Sequence, residues 1–377
     1  MNGYAKERAV DRLVRLSGQG LDLVSFWRAA SEVFATAVPH YMAPCWYTMD
    51  PASLLVTSHF SEDVPEVPPE WLAAEYYEDD VNKLADVARS ARGVSTLLEA
   101  TGGNPASSPR WHENMVYGGD QELIAALRSD RGAVWGALGL YREVGQPSFD
   151  ADDFAFIQTV SPLLAEGARR ALLVGQATDP ESPDGPGLIV LTDRWEVDSM
   201  TPGVARWLSD LPDGDWDAGI LPHAVLAVAG QALRQADRPE APAAVSRVLA
   251  KSGVWIVLHG ATLVTDGPRR VAVIAEPAHP ARIASLLMAA YGLTDREQDV
   301  TRLVLKGDAT TEISTALRVS TQTVQQHLKS VFDKTGVHSR RDLVGKVFFS
   351  HYEPRVRDNE SRALGARPLR GEPLARA

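Results

Sequence analysis

The residues best suited to chemistry cluster in VSTQTVQQHLKSVFDKTGVHSR, Val319 to Arg340. On a helix of about 100° per residue, Val324, Leu328, Val331 and Phe332 recur at i, i+4, i+7 and i+8 and form one apolar stripe. Gln322, Gln326, Lys329 and Ser330 fall nearly opposite, with Gln325 on the flank. Glutamine amides bond adenine edges in pairs, and a lysine reaches guanine or phosphate. Taken alone, such a face more often means plain solvation. Further cations at Lys334, Arg340 and Arg341 lie beyond it, placed for a phosphate backbone.

This stretch needs elements to hold it. Thr294 and Glu297 make a T-x-x-E capping box, predicting a helix from Asp295 with Val300, Leu303 and Val304 inward. Gly307 is placed to end it. A second helix is expected after Thr310 as N-cap, with Ile313, Ala316 and Leu317 inward. Arg318-Val319 reads as a tight turn, Ser320 as the next cap and Gly336 as the stop. Ser339 and Asp342 start a fourth helix that buries Leu343, Val344, Val347 and Phe348. Glu297 and Glu312 read as internal structural acids, and His327 as a packing or orienting group.

These residues resemble the LuxR-type helix-turn-helix domain of bacterial regulators. The resemblance rests on L-T-x-R-E at 293–297, Gly307, Glu312-Ile313, Val319-Ser320, Thr323-Val324, His327-Leu328, K-x-G-V at 334–337 and Ser339-Arg340. It implies that the third helix enters the major groove and that the fourth supports dimerisation. Carried over, Gln325, Gln326 and Lys329 read bases, with Thr321, Gln322 and Thr323 nearby, while Thr310, Lys334 and Arg340 hold phosphates. Gln325 stands where the family usually has Lys, which removes a cation from the reading helix.

Charge follows the same division. The chain of 377 residues carries a net charge of -11, yet 294–350 holds nine Lys/Arg against seven Asp/Glu, and the tail from His351 six against four. An acidic body would repel a polyanion while the mildly basic end approaches it. The composition is that of a globular protein, 45% hydrophobic and 23% charged. Cys45 is the one cysteine, so no intrachain disulfide forms, in keeping with a reducing cytoplasm. The N-terminus shows no apolar signal region, and no run is long and apolar enough to span a bilayer. A soluble cytoplasmic protein is the expectation.

Upstream, residues 6–37 carry helical periodicity. Residues 45–50 and 53–60 read as strands around an Asp-Pro turn, 122–130 and 132–143 as a hairpin, and 149–175 as a long helix that Pro162 kinks or starts. The fold class expected is α+β with antiparallel sheets, followed by an all-α four-helix domain. After the loop-rich QATDPESPDGPG at 176–187 come a hairpin at 188–200, helices at 201–211 and 224–235, three strands ending near Pro277 and a helix at 279–290. The pattern over 131–157 resembles GAF domains of actinobacterial regulators, and the element order of the second segment resembles a PAS-like fold. Those resemblances imply cupped sheets that sense a small-molecule effector or mediate dimerisation. The expected organisation is therefore a GAF-like domain at 1–176, a PAS-like domain at 187–278, a connecting helix at 279–292, the DNA-binding domain at 293–350 and a disordered tail at 351–377.

The reading that results is a sequence-specific regulator binding double-stranded promoter DNA as a homodimer. The alternative is an enzyme with an upstream catalytic domain and a C-terminal helical module for a partner. No nucleophile-elbow string and no phosphate-binding G-x-x-x-x-G-K-[ST] occurs, and residues 1–60 lack the acid cluster of a phosphoacceptor domain. The nine histidines show no metal-ligand spacing, and His112 stands alone beside Trp111, so neither cofactor nor metal is expected. Trp27, Trp46, Trp71, Trp111 and Trp135 are candidates to line an effector pocket or to fill cores.

Overall fold

The computed structural model describes residues 3–62, 68–173, 185–264, 267–278 and 280–344. Most of the expected linker at 176–187, the tail at 351–377, and Val347 and Phe348 of the fourth helix lie outside the described residues.

The helical periodicity of 6–37 resolves into two helices, α1 (Gly3–Ser17) and α2 (Leu23–Ala37). Asp22 starts the second, its carboxylate accepting from the Ser25 N–H at 3.0 Å. Strands β1 (Cys45–Met49) and β2 (Val56–Phe60) pair antiparallel as expected. Between them and the next hairpin lies a stretch without strong periodicity. It forms α3 (Pro69–Tyr77), α4 (Leu84–Arg89), the short strand β3 (Val94–Thr96), α5 (Leu97–Ala100) and α6 (Pro109–Val116). Strands β4 (Gln121–Arg128) and β5 (Val134–Arg142) make the expected hairpin and complete a sheet of order β2-β1-β5-β4-β3.

Helix α7 (Ala151–Ala171) begins at an Asp150–Asp153 capping box, so Pro162 sits inside it and does not start it. The preceding residue is used: the Ser161 hydroxyl donates to the Ala126 carbonyl at 2.7 Å and accepts from the Arg128 N–H at 3.1 Å. Helix and sheet are thereby stitched. At Gly167 the helix meets Phe26 so closely that a Cβ would lie 2.0 Å from its ring.

A second sheet follows the same scheme. Strands β6 (Gly187–Thr192) and β7 (Val197–Met200) pair antiparallel, then come α8 (Val204–Asp210), α9 (His223–Asp237), β8 (Val245–Leu249), β9 (Trp255–Leu263) and β10 (Arg270–Pro277). Its order, β7-β6-β10-β9-β8, repeats that of the first sheet. The sequence reading separates these modules at 176–187. In the structure both sheets with α1–α9 share one compact unit, and one apolar core runs from β1, β2, β4 and β5 through α9 to β6, β8, β9 and β10.

The physical cause is α9. Every residue from Ala224 to Leu233 is buried, the signature of a helix with neighbours on all sides. It packs on β8 of its own module and on α3 and β2 of the first. Asp50 in the turn after β1 accepts from Arg247 of β8, the backbone N–H at 2.9 Å and the guanidinium Nε at 2.8 Å.

A second compact unit holds α10 (Pro280–Ala290), α11 (Asp295–Lys306), α12 (Thr310–Leu317) and α13 (Thr321–Thr335), with residues 340–344 also helical. Its core joins Met288, Leu293, Val300, Ile313, Val324, Val331 and Leu343. Among the described residues no helix is long and apolar enough to cross a membrane.

Candidate nucleic-acid interface

The second unit is built from its caps. Thr294 Oγ1 accepts from the Glu297 N–H, and Glu297 Oε2 accepts from the Thr294 N–H at 2.7 Å, so α11 starts at Asp295 as expected. Gly307 and Gly336 end α11 and α13 with φ of 97° and 66°, a left-handed turn that glycine adopts without strain. The start of α12 is corrected by one residue. Ala309 is the N-cap, its N–H donating to Glu312 Oε2 at 2.5 Å, and Thr310 is the first helical residue. Glu312 reaches back to cap the Ala309 N–H, while alanine offers no side-chain acceptor to the N–H groups of the first turn.

The turn between α12 and α13 runs through Arg318, with φ 54°, whose N–H and that of Val319 bond back to the carbonyls of Thr315 and Ser314. Ser320 then caps α13, accepting from the Thr323 N–H at 3.0 Å. Its hydroxyl also lies 2.8 Å from Thr323 Oγ1, so the threonine side chain belongs to the cap.

The predicted stripe packs inward: Val324, Leu328 and Val331 are buried and Phe332 is half-buried. Thr321, Gln322, Gln325, Gln326 and Lys329 are exposed, which brings the expected base-reading residues onto one open side of α13. Thr310 and Thr323 are half-buried, as is His327 beside the apolar stripe.

Ser330, placed on the outer face by the wheel, is instead half-buried and donates to Glu297 Oε1 at 2.6 Å. Lys334 donates to Glu297 Oε2 at 2.5 Å. One carboxylate of α11 thus clasps two residues of α13 a turn apart. Burial pushes the Glu297 carboxyl up, but hydrogen bonds from Lys334, Ser330 and Thr294 outweigh that and bring it down to about 2. Arg340 donates to the Asp308 carbonyl. Lys334 and Arg340 therefore each have a partner inside the unit.

Two inward expectations fail. Ala316 is exposed because the inward side of the short α12 is filled by buried Ile313 and half-buried Leu317. Val344 is 37% exposed while Leu343 beside it is fully buried. One residue of the open face was missed: Asp333, exposed one turn after Lys329. The wheel angle alone would have found it.

In the first unit, the tryptophans part ways. Trp27, Trp46 and Trp135 are core, the first two stacked 4.7 Å apart. Trp111 is half-buried and donates to the Asp120 carbonyl at 3.1 Å. Trp71 on α3 lines a cleft against Tyr47 of β1 and Tyr141 of β5. At its side Arg110 is held by Glu75 at 2.5 Å and Glu122 at 3.0 Å, all three buried. His112 is exposed, its Nε2 3.0 Å from the Ala106 carbonyl. Among the described residues no group of three or more His, Cys, Asp or Glu is arranged to hold a metal ion.

Residues 292–347 match the family model for GerE, "Bacterial regulatory proteins, luxR family". The C-terminal region is thus a LuxR-family helix-turn-helix domain, which supports a DNA-binding transcriptional regulator. No curated protein matches the chain. A solved structure, "Crystal Structure of the E.coli DhaR(N)-DhaL complex", aligns over 72% of this chain and 88% of that one at 13% identity. Its TM-score of 0.16 is too low for the likeness to carry an argument.

Proposed function

We propose that the chain is a sequence-specific regulator that inserts α13 into the major groove of promoter DNA and acts as a homodimer, with its first unit sensing a small molecule. The observation that carries this reading is the exposed set Gln322, Gln325, Gln326 and Lys329 on a helix whose opposite side is buried. Gln325 and Gln326 bond base edges, Lys329 bonds guanine or phosphate, and Thr321 and Thr323 flank them. Thr310, Lys334 and Arg340 hold phosphates. The ammonium and guanidinium have donors to spare beyond their bonds to Glu297 and Asp308, so both contacts coexist. The strand order common to the two sheets supports reading them as GAF-like and PAS-like modules.

The test is a gel shift of the full-length chain on promoter fragments, its own included, titrated with salt. Binding that weakens steeply as salt rises, and that discriminates between fragments, supports the reading. Absence of any shift at low salt rejects it.

A further inference from the structure

We propose that the cleft between the first sheet, α3 and the start of α9 is an effector site for a small planar aromatic molecule that carries a hydrogen-bonding group and no negative charge. The proposal rests on the reading of the first unit as a sensor. The cleft has two narrow lobes open to solvent, with about 20 and 30 Å³ of space measured at the centre of a water molecule. Both share Tyr47, Trp71, Leu72 and Tyr141, so the common walls are three aromatic rings and an aliphatic side chain. Flat apolar walls take a flat apolar ligand with the least loss of contact.

The exclusion of anions follows from the charges already present. Arg110 is the one ammonium or guanidinium group among the described residues lining the cleft. Its Nε bonds Glu122, and its two terminal nitrogens bond Glu75 at 2.8 and 2.5 Å. Two carboxylates already share that one cation. An incoming carboxylate or phosphate would be desolvated beside them with no cation free to pair it.

The hydrogen-bonding group follows from two unmatched nitrogens. His59 lines one lobe and His223 the other, and each leaves a buried Nε2 without a partner. A buried polar atom with no partner calls for one, and a ligand hydroxyl, amide or carbonyl supplies it. Burial, with His223 close by, drives the His59 imidazole down to about 3 despite nearby Asp213, so the ring is neutral and offers either a donor or an acceptor.

The site is also composite. His59 ends the first module's β2 region, and His223 opens α9 of the second. Their rings lie 4.8 Å apart, and Asp213 accepts from both backbones, His59 N–H at 2.6 Å and His223 N–H at 3.0 Å. A ligand held by either imidazole presses on the joint between the modules, which gives occupancy a mechanical output.

Isothermal titration of the full-length chain at pH 7.5 tests this with 2-naphthol, uncharged and hydroxylated, and 2-naphthoate, the same ring system with a charge. The expected result is saturable binding of naphthol at one per chain and at least tenfold weaker binding of naphthoate. Leu72→Trp, which fills the shared wall, is expected to weaken naphthol at least tenfold, and His223→Ala severalfold, in preparations that keep the wild-type melting profile. No saturable naphthol binding, equal affinity for the two probes, or naphthol binding untouched by both substitutions overturns the proposal. The same preparations are run in the gel shift: intact DNA binding without naphthol binding removes the effector site alone, whereas lost DNA binding in the wild type rejects the regulator reading itself.

Discussion

Glu297 of α11 and Lys334 of α13 meet at 2.5 Å, 37 residues apart in sequence, and Ser330 joins the same carboxylate at 2.6 Å. The contact fixes the rotation of α13 about its axis. With Ser330 and Lys334 turned to α11, the glutamines and Lys329 point outward. The acid that begins as half of a local capping box therefore also aims the candidate reading face.

Glu297→Gln is expected to loosen α13. The folded carboxyl lies at about 2, below the ordinary value of about 4.3 for a free glutamate. A depressed carboxyl stabilises the fold above its unfolded value, and the contribution fades as pH falls from about 5 towards 2. It is worth on the order of 3 kcal/mol at neutral pH. Amide exchange of α13 is expected to be faster in the variant at pH 7 and to approach wild type only at about pH 2 and below. An equal difference at both pH values would rule out the carboxylate as its source.

Lys329 and Lys334 are expected to behave differently. Lys329 is exposed, and Lys329→Ala should cost about 1–3 kcal/mol on the cognate site. Lys334→Ala also removes a partner of Glu297, so it should lower protection of α13 in amide exchange, which Lys329→Ala leaves unchanged. Equal loss of protection in both variants would deny the clasp its role.

Gly167→Ala places a methyl group 2.0 Å from the Phe26 ring. The helices α2 and α7 must part, at a cost of about 1–3 kcal/mol. A lowered thermal midpoint of the first unit, partly restored by Phe26→Leu, is the expected outcome; a neutral substitution would mean that the two helices pack more loosely than described.

Asp50→Ala leaves Arg247 half-stranded at the joint between the two sheet modules. The pair is nearly dry, with side-chain exposures of 2% and 12%, and removal of one partner from such a pair costs about 3–5 kcal/mol. Limited proteolysis is expected to cut between the modules in the variant and to spare the wild type. The double variant Asp50→Leu with Arg247→Leu should recover much of the loss, because no charge is then left buried.

The sequence by itself determined whatever is settled within a turn or two of chain. The caps at Thr294 and Ser320, the left-handed stops at Gly307 and Gly336, the α13 stripe and the main hairpins rest on bonds between neighbours or on side-chain period. Both are written in order along the chain. Only the tertiary structure decided what depends on distant partners. Ser330 faces inward because an acid 33 residues earlier waits there. Ala316 stays outside because Ile313 and Leu317 occupy the inward side of so short a helix. The helices between Pro69 and Val116 are only 4 to 9 residues long, too few turns for a period to declare itself. The union of the two sheet modules was hidden for another reason: α9 reads as an apolar helix, and periodicity cannot say that one of its sides will bury against another module's strand. Local bonds declare themselves in sequence; long-range burial is a property of what the chain brings together.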